Sequence, residues 1–449
     1  MVDEVEVNND VLDGIKGEET VVCIVTATKP DFYKQWSLLP AAEKLKVPVI
    51  VINTGQHHDN LLGFGLEEFD IKKYIGFNLN IRGDLLSKSY EIIAKTGFAA
   101  RTLKDLSPKT TFIPVVHGDT LAAGIFPIGW MFATGKKVAQ NEAGLRGMAP
   151  KFSKNVEAFI ENQWENKWEL SRQEPFPEQW DTFVAGASSE LHFAPLQVNK
   201  DHLVREGTPR DRVFVVGNSI VDAMEHTKRM KPEISIFEEY PVLDEFDNWL
   251  RVDIHRRANL SEDRFKAVFL GVRDLIKDRQ PVAWVELSGT RFALEKYGLR
   301  DEIIKLSKSY DNFLFTPLWK SYSSVMEFFR SGKCAAVLTD SGSLQEELNH
   351  LGLPALTVRY NTYRPETVNE AKSNLLVPPH KGLVYDMTHY VLNRPDLLES
   401  MGHGKKLYGE DVGIKIMQKI KELGNGDLNM NRTVPEVLGL KNGSKIDFL

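Results

Sequence analysis

Two carboxylates stand where an α/β sheet would hold its chemistry. Asp119 lies in His117-Gly118-Asp119-Thr120, just past the apolar, β-rich run Phe112–Val116. Glu142 lies in Gln140-Asn141-Glu142-Ala143-Gly144-Leu145-Arg146, past a shorter run near Val138. In open parallel sheets ligands gather at the carboxyl ends of strands, so both groups are candidates for proton transfer. A third strand end carries different chemistry. Asp340-Ser341-Gly342-Ser343-Leu344-Gln345-Glu346-Glu347 turns out of the apolar run Cys334–Thr339 into a helix. Small residues there let backbone N–H groups approach a ligand, and the positive end of a helix favours phosphate. Glu347, one turn later, has oxygens suited to ribose hydroxyls, and Arg364, beside Pro365, offers a fork of donors to an oxyanion. Taken alone, Asp-Ser-Gly-Ser is equally an ordinary capped helix start, and Gly-Asp-Thr an ordinary strand-end turn.

The elements that must hold these residues alternate. Val21–Ala27 reads as a buried strand, followed by a helix through Leu38–Leu45 and a strand at Pro48–Asn53, a βαβ start that implies a parallel sheet. Strands recur at Thr111–Val116, Leu191–Ala194 and Val213–Val216, with a helix through Leu121–Ala133. A second series runs through Leu250–Ile254, a helix near Asp263–Ile276, Pro281–Glu286, Asn312–Phe315, Cys334–Thr339 and Ala355–Val358. At 449 residues the chain exceeds one ordinary core, and two doubly wound halves are expected, joined around Gly217–Lys231. Three stretches lie outside this plan. Residues 1–18 are acidic and are expected to be poorly ordered. The polar stretch 147–174 carries Trp164 and Trp168 at helical spacing, which fits a helical excursion packed on the body, a dimer contact or a lid. The tail after Leu423 reads as a surface extension.

Composition narrows the function class. Hydrophobic residues make up 42% and charged residues 26%, and the net charge of −6 argues against an extended nucleic-acid surface. No run approaches the roughly 18 apolar residues of a membrane span. Met1–Asp10 is acidic with no apolar stretch, so no signal peptide is expected, and the compartment expected is the cytoplasm. The 2 cysteines, Cys23 and Cys334, sit in apolar runs and read as buried thiols. No Cys/His spacing of a metal site is present, so no metal is expected.

Further motifs occur in a characteristic order: Thr28-Lys29-Pro30-Asp31, Thr54-Gly55-Gln56-His57, His117-Gly118-Asp119-Thr120, Glu142-Ala143-Gly144-Leu145-Arg146, Pro175-Phe176-Pro177-Glu178, His192-Phe193-Ala194-Pro195, Gly217-Asn218-Ser219, His255-Arg256-Arg257, Asp340-Ser341-Gly342 and Arg364-Pro365-Glu366. In these the chain resembles the non-hydrolysing UDP-N-acetylglucosamine 2-epimerase family from about Val21 to Leu376. The resemblance implies a GT-B architecture of two Rossmann-like domains with the active site in the interdomain cleft. The implied domains are 19–217 (the sugar and catalytic side, with the insertion at 147–174) and 218–400 (UDP binding), followed by a helix and tail at 401–449 crossing back to the first. The family inverts C2 of UDP-GlcNAc to give UDP-ManNAc with no cofactor, eliminating UDP to a 2-acetamidoglucal and adding it back.

By the same resemblance Asp119, Glu142, Glu178 and His255 match catalytic positions. Asp119 and Glu142 are the implied proton-transfer pair, Glu178 fixes the sugar, and His255 stabilises the departing diphosphate. Ser341, Gly342 and Ser343 match the diphosphate turn and Glu347 the ribose partner. Lys29, Lys34, Gln56, Arg146, Arg256 and Arg364 are carried over as substrate contacts, and uracil is placed near Phe315. A UDP-sugar is the implied substrate, with no nucleic-acid or membrane partner. A homodimer serving polysaccharide biosynthesis is implied too. Several positions depart from the family pattern. Gln140-Asn141 replaces His-Val before Glu142, Gln179 replaces a second Glu, and Asp181-Thr182 replaces Asn-Arg. Asp-Ser-Gly-Ser stands for Asp-Ser-Gly-Gly, and His-Arg-Arg-Ala-Asn for His-Arg-Arg-Glu-Asn. His58 and Asp59 replace the Arg and Glu of a loop that serves a regulatory substrate site in bacterial relatives. The departures mark a divergent branch, leaving a hydrolysing 2-epimerase or a GT-B glycosyltransferase as alternatives.

Overall fold

Runs of β-branched and apolar residues with no polar face belong to strands covered on both sides. Such runs build two sheets in the computed structural model, which describes residues 4–55, 69–165, 167–173, 176–424 and 430–440, without the side chains of Lys29 and Pro30. The chain forms two compact units. Unit 1 comprises Met1–Arg146, Pro175–Ala223 and Tyr408–Leu449, and unit 2 comprises Gly147–Glu174 and Met224–Leu407.

Along the chain the strands are β1 (Glu6–Val7), β2 (Thr20–Thr26), β3 (Val49–Asn53), β4 (Ile75–Asn78), β5 (Thr111–His117), β6 (Val138–Asn141), a short ribbon of β7 (Met148–Ala149) and β8 (Glu169–Leu170), then β9 (Ser189–Ala194) and β10 (Val213–Val215). Unit 1 holds an eight-stranded sheet in the order β1-β4-β3-β2-β5-β6-β9-β10, in which β1 alone is antiparallel. The winding reverses between β2 and β5. At such a switch point the loops leaving adjacent strands diverge and open a crevice; here those loops carry Thr28–Asp31 and His117–Asp119. Behind them the helix Leu121–Thr134, apolar on every face and capped by the Thr120 hydroxyl, packs against the helices Leu85–Leu106 and Glu178–Ser188. The helix Val412–Gly424 seats on Leu38–Leu45, its first N–H groups bound by the Asp222 carboxylate at 3.1 and 2.8 Å. Beyond it Arg432 ties the tail to Glu190 at 2.8 Å and Asp211 at 2.9 Å.

The expectation for residues 1–18 is corrected from residue 4 onward. β1 pairs with β4, Asn8 caps the helix Asn9–Asp13, and Leu12 and Ile15 are buried. Leu12 and Ile15, with Val5, Val7 and Val11 packed on the same core, let an acidic stretch close the sheet edge.

Unit 2 continues with β11 (Trp249–Asp253), β12 (Val282–Glu286), β13 (Phe313–Pro317), β14 (Cys334–Thr339), β15 (Ala355–Thr357) and β16 (Asn374–Leu376). They form an all-parallel sheet in the order β13-β12-β11-β14-β15-β16. Its switch point falls between β11 and β14, at the loops that hold His255 and Asp340–Ser343. The stretch 147–174 packs on this unit. Its helix Val156–Trp164 buries Phe159 and Ile160 in the core, and the Gln163 amide brackets the edge strand β16. Gln163 accepts from the Leu376 N–H at 2.6 Å and donates to its carbonyl at 3.0 Å, so the exposed edge gains the partner it would otherwise lack. Trp164 ends that helix and Trp168 lies beyond it, packed on Val368 and Leu376. Cys23 and Cys334 are buried free thiols, and burial pushes the Cys334 thiol up to about 12. Among the described residues no helix is long and apolar enough to cross a membrane.

Candidate active site

In unit 1 the residues at the sheet's switch point converge on Glu142. Its backbone sits at φ 56°, a left-handed conformation that costs a non-glycine residue about 1 kcal/mol or more. That turn aims the side chain back across the strand ends. Lys34, from the helix Lys29–Trp36, pairs with it; Asn218 donates to its Oε1 at 2.8 Å, and His117 Nε2 lies 3.4 Å from its Oε2. Lys34 and Glu142 are each 2% exposed, so the ammonium and carboxylate stand in for water that neither can reach. The His117 ring is oriented from behind by Asp31, whose Oδ1 lies 2.9 Å from Nδ1. The other Asp31 oxygen accepts from the N–H groups of Ala27 (3.2 Å) and Thr28 (2.9 Å) at the start of the helix. Gly118 makes room for the carboxylate: its φ is 61°, and a Cβ there would lie 2.5 Å from Glu142 Oε2. Asn141 braces the turn, accepting from Glu142 N at 2.9 Å and donating to Ser219 Oγ at 3.0 Å.

Asp119 follows Gly118, half-buried, with Oδ2 enclosed and without a hydrogen-bond partner in the structure. Glu178 is half-buried in the first turn of the helix Glu178–Ser188, where N–H groups favour a negative charge. Three residues on, Asp181 is fully buried, and neither of its oxygens has a hydrogen bond. Burial, then the neighbouring Asp119 and Glu178 carboxylates, pushes its pKa up to about 9. Arg146 faces elsewhere. It donates from Nε to Glu206 at 2.7 Å and from Nη1 to the Leu145 carbonyl at 2.6 Å, and stacks 4.1 Å from the Phe183 ring.

In unit 2 the organising group is Asp340, fully buried at the end of β14. It accepts from His255 N at 3.0 Å, Arg256 N at 3.0 Å and Asn259 Nδ2 at 3.1 Å, and lies 3.1 Å from His255 Nδ1. Burial pushes its carboxyl up, but the His255 ring and N–H together with Arg359 outweigh this and hold its pKa at about 2. Arg359 donates to the Asp340 carbonyl at 2.8 Å. Its guanidinium is lowered to about 10 by burial and by the neighbouring Arg256 and Arg364. These cations look onto Gly342. A Cβ on Gly342 would stand 3.0 Å from Arg364 Nη1 and 3.4 Å from Arg256 Nη2. Arg364 is anchored by Glu346, 3.1 Å from Nε. Ser341 and Ser343 flank the glycine with hydroxyls 3.4 Å apart, at the start of the helix Ser343–Leu351. Two guanidinium groups over a side-chain-free turn at a helix N-terminus make an anion cradle. Glu347, on the same helix, accepts from the Tyr322 hydroxyl at 2.8 Å. Phe315, on β13, packs on the core with the Arg300 guanidinium 5.5 Å from its ring.

The structure thus brings Lys34 to Glu142 in unit 1, and His255, Arg256, Ser341, Gly342, Ser343 and Arg364 together in unit 2. Gln56 lies outside the described residues, as does the side chain of Lys29. Asp31, His117, Asn218 and Asp340 have no role in the sequence expectations, although each falls inside a quoted motif. Arg359 belongs to none, and nothing local distinguishes it from a surface arginine. No group of acidic, His or Cys side chains among the described residues is arranged to hold a metal ion.

Comparison with known proteins matches residues 170–421 to the sequence profile described as UDP-N-acetylglucosamine 2-epimerase. A Bacillus subtilis UDP-N-acetylglucosamine 2-epimerase is 31% identical, over 87% of this chain and 91% of its own. A Methanocaldococcus jannaschii protein of the same name is 28% identical, over 85% and 95%. Among solved structures, the Neisseria meningitidis UDP-GlcNAc 2-epimerase bound to UDP-GlcNAc superposes with a TM-score of 0.72 at 25% identity, covering 90% of this chain and 99% of that one. S. aureus MnaA in complex with UDP gives 0.72 at 26% identity, covering 92% and 99%.

Proposed function

The chain belongs to the UDP-N-acetylglucosamine 2-epimerase family, and on that premise we propose that it interconverts UDP-GlcNAc and UDP-ManNAc without net hydrolysis. A base takes the C2 proton while the C1–O bond to the diphosphate breaks. The C–H electrons become the C1=C2 bond of 2-acetamidoglucal, and the C1–O pair leaves with UDP. An acid then protonates C2 from the opposite face, and a UDP oxygen re-forms the bond to C1. Because a sugar C2–H is scarcely acidic, cleavage of C1–O must run ahead, and carboxylates near the anomeric carbon stabilise the charge that develops.

In this scheme Asp119 and Glu142 are the proton-transfer pair and Glu178 fixes the sugar. His255, with Arg256 and Arg364, takes the charge of the leaving diphosphate at the Ser341–Gly342–Ser343 turn, and Glu347 binds ribose. The observation that carries the scheme is Glu142 itself, buried, strained and paired with Lys34. That is a costly arrangement for a protein that only binds, and a useful one for a carboxylate that must meet a carbon acid away from water. The cationic cradle at Gly342 suits a diphosphate that must be held while the glucal exists. We propose further that the enzyme works as a cytoplasmic homodimer supplying an activated sugar for polysaccharide biosynthesis; light scattering in solution tests the dimer.

Proton NMR of the protein with UDP-GlcNAc in deuterated water tests the reaction. UDP-ManNAc carrying deuterium at C2 is the expected product. Free ManNAc plus UDP would instead mark a hydrolysing enzyme, and UDP release only with an added sugar acceptor a glycosyltransferase.

A further inference from the structure

Asp181 stands where the family pattern has asparagine, and its surroundings are unusual for an acid. It is fully buried, neither oxygen has a hydrogen bond, and it packs so closely on the helix Leu121–Thr134 that a Cβ on Gly124 would lie 2.4 Å from its Oδ1. The charges facing it are of its own sign: Asp119 from the loop after β5 and Glu178 one turn earlier on its own helix. Leu121–Thr134 and β6, both packed on this helix, carry no ionisable side chain. β9 brings Glu190, held by Arg212 and Arg432, and His192, which burial lowers to about 3 and keeps neutral. Arg146 touches the same helix but is engaged by Glu206. Among the described residues no cation compensates Asp181, which leaves a proton to do so.

We propose that Asp181 is a positioning residue that stays protonated and offers its O–H to the neighbouring Asp119 carboxylate during the reaction. The role rests on the epimerase reading and on Asp119 as one of its proton carriers. Asp119 Oδ2 is an enclosed oxygen that lacks a donor, and Asp181 Oδ1 lies against Gly124, one turn into the helix that Asp119 leads, so that its O–H can serve Asp119 without adding a second negative charge. The O–H steadies Asp119 in the orientation from which it exchanges a proton with C2, and no proton leaves Asp181. A buried acid with no partner costs stability, whereas asparagine would not need to take up a proton there. A costly group in a reactive cluster is what a functional constraint leaves behind.

Rates of UDP-GlcNAc conversion by the wild type, Asp181→Asn and Asp181→Leu between pH 6 and 10 test this. The wild type loses activity as Asp181 ionises, at about 9, because a second anion then repels Asp119. Asp181→Asn, which keeps a donor, stays within roughly threefold of wild-type kcat at pH 7 and lacks that alkaline fall. Asp181→Leu, with no donor, loses about tenfold to a hundredfold in kcat, the effect of a missing charge-assisted hydrogen bond, with KM little changed. Equal kcat for the two variants, or an alkaline fall that survives in Asp181→Asn, would overturn the role; if the leucine variant does not fold, the asparagine pH profile decides. A wild type that makes no UDP-ManNAc at any pH would overturn the epimerase reading and this role with it.

Discussion

Replacing Gly342 with alanine separates binding from folding. Its φ of −76° is open to any residue, so the substitution adds no backbone strain. The added methyl meets only the ends of two flexible side chains, Arg364 Nη1 at 3.0 Å and Arg256 Nη2 at 3.4 Å. At these separations the guanidinium groups need give only a few tenths of an ångström, and the loss of a helix start tolerant of glycine costs no more than about 1 kcal/mol. For a diphosphate the same methyl is severe. It occupies the space between the turn and the guanidinium groups, lengthening at least one charge-assisted hydrogen bond, a loss of about 1.5–3 kcal/mol. At 1.4 kcal/mol per decade that is roughly tenfold to a hundredfold weaker binding of UDP. Titration calorimetry with UDP, run beside a thermal melt, measures both quantities. If Gly342→Ala binds UDP within about twofold of wild type while folded, the diphosphate does not sit on this turn, and the cationic cluster serves the fold instead.

Asp119→Asn or Glu142→Gln should abolish turnover while leaving UDP affinity within about tenfold, or 1.4 kcal/mol; an equal loss of UDP binding would show that these are nucleotide or fold residues. Lys34→Met strands the buried Glu142 charge and should cost about 3 kcal/mol in urea unfolding, softened by Asn218, and Lys34→Met with Glu142→Gln should recover most of it. Asp340 is depressed in the folded state to about 2, so its contribution is present above the unfolded value near 4 and disappears as pH falls from about 4 to 2. At about 1.4 kcal/mol per unit this is roughly 3 kcal/mol, absent in Asp340→Asn once the lost hydrogen bonds are subtracted. Asp181 has the opposite sign. A carboxyl raised to about 9 destabilises the fold increasingly as pH rises from about 4 to 9, so Asp181→Asn should gain stability over that window, with an upper bound of about 7 kcal/mol. A flat difference between the two proteins across pH would refute it.

The sheets were legible because their central strands are nearly uninterrupted apolar runs. Val21–Ala27 reads one residue away from β2, and Cys334–Thr339 coincides with β14. β4, Ile-Gly-Phe-Asn, and β16, Asn-Leu-Leu, carry glycine and asparagine where equally short but legible strands such as Val213–Val215 have β-branched and aromatic residues. Glu142 announces itself by its place after β6, but Lys34 lies 108 residues away, and only the folded sheet makes them neighbours. Asp181 appears in sequence as a substitution; that it is uncompensated depends on the bare face of the Leu121–Thr134 helix. The same holds for the stretch 147–174. Its tryptophans show that something is buried, whereas its anchor, Gln163 on Leu376, joins residues 213 apart.

Unit 1 is assembled from three separated stretches of chain and unit 2 from two, which shapes how the polypeptide matures on the ribosome. Leu38 and Leu39 emerge long before the helix that seats on theirs, with Lys421 donating to the Leu45 carbonyl 376 residues away. While the residues between them are made, that apolar surface lacks its partner helix. The nascent chain therefore cannot finish its first half before its second, and it presents a long-lived sticky face to chaperones. Clipping the Val412–Gly424 segment would leave unit 1 incomplete around Leu38–Leu45, a defect of assembly far from the cut in sequence.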